Sequence, residues 1–170
     1  DVIHLAGIVT DGLVDINPAF AERVNVEGSA NVARAAQAAG VLRFINTSSS
    51  SVYGFAAEGH ADVTEAITPL PQTAYARQKL QAETITREAF KGVWCSLRPA
   101  TMCGPAPRIR LDPVVNVFSK QAWYDRRITV HGGDQYRSNV HIQDAVDVFE
   151  LVLDRGADGG IYNVTWGDMT

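Results

Sequence analysis

The stretch Ala35-Ala36-Gln37-Ala38-Ala39-Gly40-Val41-Leu42-Arg43-Phe44-Ile45-Asn46-Thr47-Ser48-Ser49-Ser50-Ser51 changes character once, and that change decides the fold class. Its first part is alanine-rich and helix-forming, and Gly40 stands where helices end. Its second part, Val41–Thr47, is a short run of strand formers that stops at four serines. The same alternation continues outward. Upstream, Val2–Ala6 reads as an apolar strand ending in Gly7, and Pro18 opens a helical stretch that runs to Ala39. Downstream, residues 54–72 carry Gly54, Gly59, Pro69 and Pro71 and predict a long surface loop, of a length that is usually functional. Thr73 to Phe90 reads as a second long helix with Gly92 beyond its end, Val93–Leu97 as a strand, and Arg98–Pro107, with three prolines, as a loop. Pro113–Tyr124 predicts a helix with one buried face, Ile128–His131 a short strand closed by Gly132-Gly133, Ile142–Leu153 an amphipathic helix, and 161–164 a last strand. Strands alternating with helices predict an α/β fold with a mainly parallel sheet.

The 170 residues are 46% hydrophobic and 20% charged, an ordinary balance for a globular chain with one substantial core. Net charge is -4 and the 15 Lys and Arg are scattered, which argues against a nucleic-acid backbone or an anionic membrane as partner. No window approaches 18 uninterrupted apolar residues, and no signal-like segment opens the chain. Two cysteines, Cys95 and Cys103, form no disulfide framework and no zinc spacing. A reduced, cytoplasmic protein is expected. Because the chain begins and stops inside regular structure, it is also expected to be part of something longer.

The chemistry concentrates on Ser48-Ser49 at a strand end and, 26 residues after Ser49, on Tyr75-Ala76-Arg77-Gln78-Lys79. Tyr and Lys at i and i+4 share one helical face. A phenol with pKa near 10 is a poor base at neutral pH. An ammonium about 4 Å away contributes roughly 4 kcal/mol at an effective dielectric of 20, which would lower that pKa by up to about three units. A serine hydroxyl on the neighbouring strand end could hold a substrate hydroxyl in line.

Strand-end serines, a long loop and a helix with Tyr-x-x-x-Lys together resemble the short-chain dehydrogenase/reductase superfamily. Thr47-Ser48-Ser49-Ser50-Ser51-Val52-Tyr53-Gly54 resembles the S-S-x-x-V-Y-G block of its extended branch, the nucleotide-sugar epimerases and dehydratases. His4-Leu5-Ala6-Gly7 is similar to that branch's H-x-A-[AG] strand end, and Asn25-Val26-Glu27-Gly28 to its N-V-x-G helix segment. Leu97-Arg98-Pro99-Ala100-Thr101-Met102-Cys103-Gly104-Pro105 resembles L-R-x-x-N-x-[YF]-G-P, and Arg137-Ser138-Asn139-Val140-His141-Ile142-Gln143-Asp144 resembles R-[DP]-[FY]-[IV]-H-V-x-D. The blocks keep the family's order over nearly the whole chain.

The resemblance implies a doubly wound, Rossmann-like sheet, incomplete here, with the start of a smaller substrate lobe. Residues 1–107 would be the C-terminal part of the NAD-binding domain, and 108–170 a partial nucleotide-sugar lobe interleaved with the domain's last strands and helix. It implies catalytic roles for Ser49, Tyr75 and Lys79, with Lys79 also on the nicotinamide ribose. Leu5, Ala6, Gly7, Asn25, Thr47, Ser48, Tyr75, Lys79, Pro99, Ala100 and Thr101 would serve the cofactor, NAD or NADP. Ser49, Ser50, Thr101, Val114, Thr129, His131 and Arg137 would serve a nucleotide-diphosphate sugar, with Arg137 clamping the diphosphate. Asp144 is expected to brace its helix. Two departures stand out: Thr101 replaces the family's Asn, and none of the 14 glycines forms the G-x-x-G-x-x-G loop that seats a pyrophosphate at a helix N-terminus.

Family dehydratases carry Thr-Asp-Glu where this chain has Ser48-Ser49-Ser50, and no carboxylate occurs between Asn46 and Ala57. The expectation is therefore an epimerase similar to UDP-glucose 4-epimerase, working through a transient 4-keto sugar. A 4-keto reductase, dehydratase or decarboxylase of the same branch is the alternative, and a non-catalytic relic domain the alternative of another class. The family often dimerises through the two long helices, here 18–39 and 73–91.

Overall fold

The computed structural model describes residues 1–54, 63–131 and 137–166. Its elements are β1 (Val2–His4), α1 (Asp11–Ile16), α2 (Pro18–Glu22), α3 (Ser29–Ala38), β2 (Arg43–Thr47), α4 (Ala74–Ala89), β3 (Val93–Pro99), β4 (Thr101–Cys103), α5 (Val114–Tyr124), β5 (Asn139–His141), α6 (Ile142–Arg155) and β6 (Gly160–Val164). Between α2 and α3 lies a π-helical turn, Arg23–Gly28, whose flanking residues keep helical dihedrals, so 18–38 runs as one rod. A 3₁₀ turn, Ser50–Tyr53, follows β2.

Local chemistry sets the boundaries. Asn17 caps the long rod by accepting from the Phe20 N–H at 3.0 Å, with Pro18 in the first turn. Thr73 caps α4 by accepting from the Ala76 N–H at 3.1 Å. Gly40, at φ 66, ends the rod: its N–H bonds Gln37 O and the Val41 N–H bonds Ala36 O.

Four strands form one parallel sheet in the order β1-β2-β3-β6. Alternation along β2 and β3 divides the core. Ile45, Cys95 and Leu97 face α6, joining Ala145, Phe149 and Val152. Phe44 and Trp94 face the other side, meeting Ala33, Ala36 and Phe90. Helices therefore cover both faces, the doubly wound arrangement expected. Each fully buried side chain such as Phe44 or Ile45, both at 0% exposure, contributes roughly 1.5–3 kcal/mol.

The structure departs from the sequence reading in several places. Residues 128–131 form no strand; Ile128 and Val130 are exposed, and an apolar run without a pairing partner has nothing to satisfy its backbone. The pairing instead joins Thr101–Cys103, read as loop, to Asn139–His141 in a two-stranded parallel sheet. β3 continues to Pro99, because a proline at a strand's end forfeits little of the ladder. The helix over Pro113–Tyr124 exists as Val114–Tyr124 but buries none of its residues: no described element covers its apolar face. Helix α1 was not foreseen, since Gly12 disguises it. Within the 54–72 segment, residues 55–62 lie outside the described residues, as does the Gly132-Gly133 closure; 63–72 are irregular, with Leu70 bridged to Gly54. Among the described residues, no helix is long and apolar enough to cross a membrane.

Candidate active site

The carboxyl ends of β1, β2 and β3 lie side by side, the edge at which open α/β sheets hold ligands. β1 delivers Leu5, Ala6 and Gly7, all exposed just past its end. β2 delivers Thr47, Ser48 and Ser49, and β3 delivers Pro99 and Ala100, whose side chains are buried. Helix α4 runs beneath and presents Tyr75 and Lys79.

Ser49 caps the 3₁₀ turn: its Oγ accepts from the Ser51 N–H at 3.2 Å and from the Ser51 hydroxyl at 2.9 Å. Its hydroxyl also stands near enough to Tyr75 to favour the phenolate, which draws the phenol's pKa down. Burial acts more strongly the other way, so Tyr75 stands above 10, with Asp11 raising it and Arg110 lowering it further. The expected pull of Lys79 towards neutrality is therefore not what this structure shows. The ammonium is engaged elsewhere, donating to Thr47 O at 2.7 Å. Burial lowers the Lys79 pKa to about 8, against an opposing contribution from the Glu83 carboxylate. His4 is lowered by burial and by the Lys79 charge, and its Nε2 lies 2.9 Å from Ser29 Oγ.

Asn25 sits in the π-helical turn and is buried. Its Oδ1 accepts from the Ile8 N–H at 2.8 Å, while its Nδ2 donates to Ile8 O and to Gln78 Oε1, both at 2.9 Å. The amide thus ties the segment after β1 to the residue before Lys79. It is a brace between those two segments. A Cβ on Gly7 would stand 3.0 Å from Asn25 Oδ1 and 3.9 Å from Lys79 Nζ, so the missing side chain keeps the rim open beside the lysine.

Behind Lys79 is a buried polar chain that motif reading passed over. Arg98 donates through Nε and Nη2 to the two oxygens of Glu83, at 2.9 and 2.8 Å. Its Nη1 donates to the Tyr53 hydroxyl at 3.0 Å, and that hydroxyl donates to Asn163 Oδ1 at 2.8 Å. Asn163 in turn donates to Val63 O from its side chain and to Glu65 from its backbone. Burial opposes the Arg98 charge, yet Glu83 and Tyr53 more than offset it and its pKa is raised. The signal for this chain was present in sequence: Tyr75, Lys79 and Glu83 recur every four residues.

Of the other expected residues, Thr101 is exposed at the start of β4, and Val114 begins α5. Thr129 and His131 are exposed, and Thr129 N–H reaches Gln121 Oε1 at 3.4 Å. Arg137 is exposed, and its carbonyl accepts from Asn139 Nδ2. Among the described residues, no hydrogen bond joins Val114, Thr129 or His131 to Ser49, Tyr75 or Lys79. Arg110 is the residue of this part whose charge reaches Tyr75, and Asp11 does so from α1; neither was foreseen. Asp144 lies in the first turn of α6, where a carboxylate suits the helix dipole.

The NAD dependent epimerase/dehydratase family matches residues 1–165. The chain belongs to that family. It is 30% identical over 98% of its length to the GDP-6-deoxy-D-mannose reductase of Pseudomonas aeruginosa, covering 57% of that protein. It is 31% identical over 99% of its length to the UDP-glucose 4-epimerase of Mycolicibacterium smegmatis, covering 55%. It superimposes on the structure of RMD from Pseudomonas aeruginosa complexed with NADPH with a TM-score of 0.84, at 28% identity, over 96% of this chain and 60% of that one. The chain spans 57% of the reductase, 55% of the epimerase and, at 32% identity, 40% of the dTDP-D-glucose 4,6-dehydratase of Mus musculus, so the family members it resembles include reductases, dehydratases and epimerases of nucleotide sugars.

The donor set suits one end of a dinucleotide. Thr47 Oγ1 and Ser48 Oγ are buried without a partner at the β2 end, beside Lys79 and the bare backbone at Gly7. Residues able to meet a ribose and a nicotinamide are thus gathered here. A glycine loop for the pyrophosphate is not among the 170 residues.

Proposed function

We propose that this chain carries the proton-transfer half of an NAD-dependent nucleotide-sugar epimerase, similar in reaction to a UDP-glucose 4-epimerase. The observation that carries the reading is the Ser49 hydroxyl beside Tyr75 at the end of β2, with Lys79 one helical turn away on the same face. Bound NAD, or NADP, supplies a reversible hydride acceptor at the sugar carbon. Ser49 Oγ orients the reacting hydroxyl, and Tyr75 Oη takes its proton and later returns it. Lys79 and the orphan hydroxyls of Thr47 and Ser48 hold the ribose side, with Leu5–Gly7 and the backbone of Pro99 and Ala100 lining the cofactor. Ser50, Thr101, Val114, Thr129, His131 and Arg137 would take the nucleotide-diphosphate sugar. Residues 1–107 would belong to the cofactor domain and 108–170 to the beginning of the sugar lobe. The working unit is a cytoplasmic homodimer through helices 18–39 and 73–91, the first of which exposes Val32, Ala35 and Ala38.

A second reading is favoured by one feature. Burial holds the Tyr75 phenol above its ordinary pKa, a direction that suits proton donation to a keto oxygen. The two readings separate cleanly in the complete protein. An epimerase interconverts UDP-glucose and UDP-galactose with no net change in cofactor absorbance. A reductase oxidises NADH or NADPH only when a 4-keto nucleotide sugar is added. Neither signal, together with no NAD binding, would leave the relic domain.

A further inference from the structure

Lys79 and Glu83 are one turn apart on α4, a spacing at which an ammonium and a carboxylate ordinarily pair with each other. They do not pair here. Both Glu83 oxygens are taken by the planar fork of Arg98, whose third arm is fixed by Tyr53, and the Lys79 Nζ donates to Thr47 O at the strand end instead. Glu83, Arg98 and Tyr53 are 4%, 3% and 2% exposed, so neither partner has water as an alternative. We propose that Arg98 is a positioning residue for Lys79: by occupying Glu83 it prevents a Lys79–Glu83 ion pair and leaves the ammonium directed at the β2 end, beside Ser49 and Tyr75.

Arg98 touches none of the reacting groups in this account, and its effect passes through Glu83. The other charged and titratable groups around Lys79 are His4 from β1 and Tyr75 from its own helix, with Asp11 and Arg110 acting on Tyr75. The inference uses the reading of Lys79 as a site residue, but no step of the epimerase or reductase reaction.

In the complete protein labelled with ¹³C-lysine, the Lys79 side-chain signal is assigned by its loss in Lys79→Arg, and Lys91 and Lys120 of this chain serve as internal references. Arg98→Met frees Glu83, and the Lys79 titration is expected to move up by about 1–3 units as the new pair forms. The double variant Arg98→Met/Glu83→Met lacks the same hydrogen bonds, yet its Lys79 should titrate at or below the wild-type value. An unchanged titration in Arg98→Met, or a raised one that persists in the double variant, overturns the proposal. If Arg98→Met does not fold, Arg98→Lys replaces it: a point charge holds Glu83 by one contact, and the titration should rise by a smaller amount, with no rise counting against the proposal. Because the readout is a lysine titration, it stands or falls separately from any turnover assay.

Discussion

Tyr75 and Lys79 show what a single residue owes to its neighbours. Their spacing was legible in the sequence, because four residues along a helix is a fixed geometry. Their protonation was not, because it depends on which carbonyl and which carboxylate close around them. Phenylalanine at 75 is expected to lower turnover by about 10²–10⁴ while leaving cofactor affinity near that of the unaltered protein, measured by steady-state kinetics and fluorescence titration. Lys79 makes a separate prediction about stability. Its folded pKa of about 8 lies below its unfolded value, so between about 8 and 10.5 the unfolded chain binds the extra proton and stability rises with pH. Relative to Lys79→Met, the wild-type protein should gain about 2 kcal/mol between pH 7.5 and 9.5 in urea unfolding. A difference independent of pH would show that the lysine titrates normally.

Elements were legible where period and caps agreed, as in α4 with Thr73, and illegible where partners decide. Ile128–Val130 and Met102–Cys103 are both short apolar runs; only the second found a strand to pair with, at Val140. Pairing partners far apart in sequence leave no local trace. The link between α4 and β3 is of the same non-local kind, and it carries a prediction. Arg98→Met takes the bidentate partner from the buried Glu83 carboxylate and leaves it only the Lys79 ammonium to turn to, which should cost up to about 3–5 kcal/mol. Replacing both residues with methionine should cost much less, since no charge remains buried. Asn25→Ala removes three hydrogen bonds that join β1's exit to α4, and should cost about 1.5–4.5 kcal/mol, from about 0.5–1.5 per bond, by the same denaturation measurement.

Across the whole molecule, the mainly parallel sheet followed from alternation, and six short motifs in order supplied the family and, with it, the expectation of helices on both faces. The reach of the part after residue 107 did not follow, because Arg110 approaches Tyr75 from a segment that reads as polar loop. Assembly belongs to this scale as well. If the long rod and α4 form the contact between two copies, Val32→Glu combined with Ala35→Glu should halve the mass found by sedimentation equilibrium. An unaltered mass would place the contact elsewhere.

The π-helical turn at Arg23–Gly28 has a consequence for how insertions and deletions act on this rod. A π turn holds one residue more than an α turn of the same bonding pattern, so the rod contains a surplus residue beside Asn25. Deleting a single residue there, such as the exposed Glu27, would let ordinary α-helical bonding close through the gap. The parts of the rod on either side would keep their phase, because the extra residue is what the wider turn takes up. Only the wider turn that holds Asn25 against Ile8 and Gln78 would be lost, although the codon of Asn25 was untouched. Length, counted in single residues, is therefore as much a part of this site as the identity of any side chain in it.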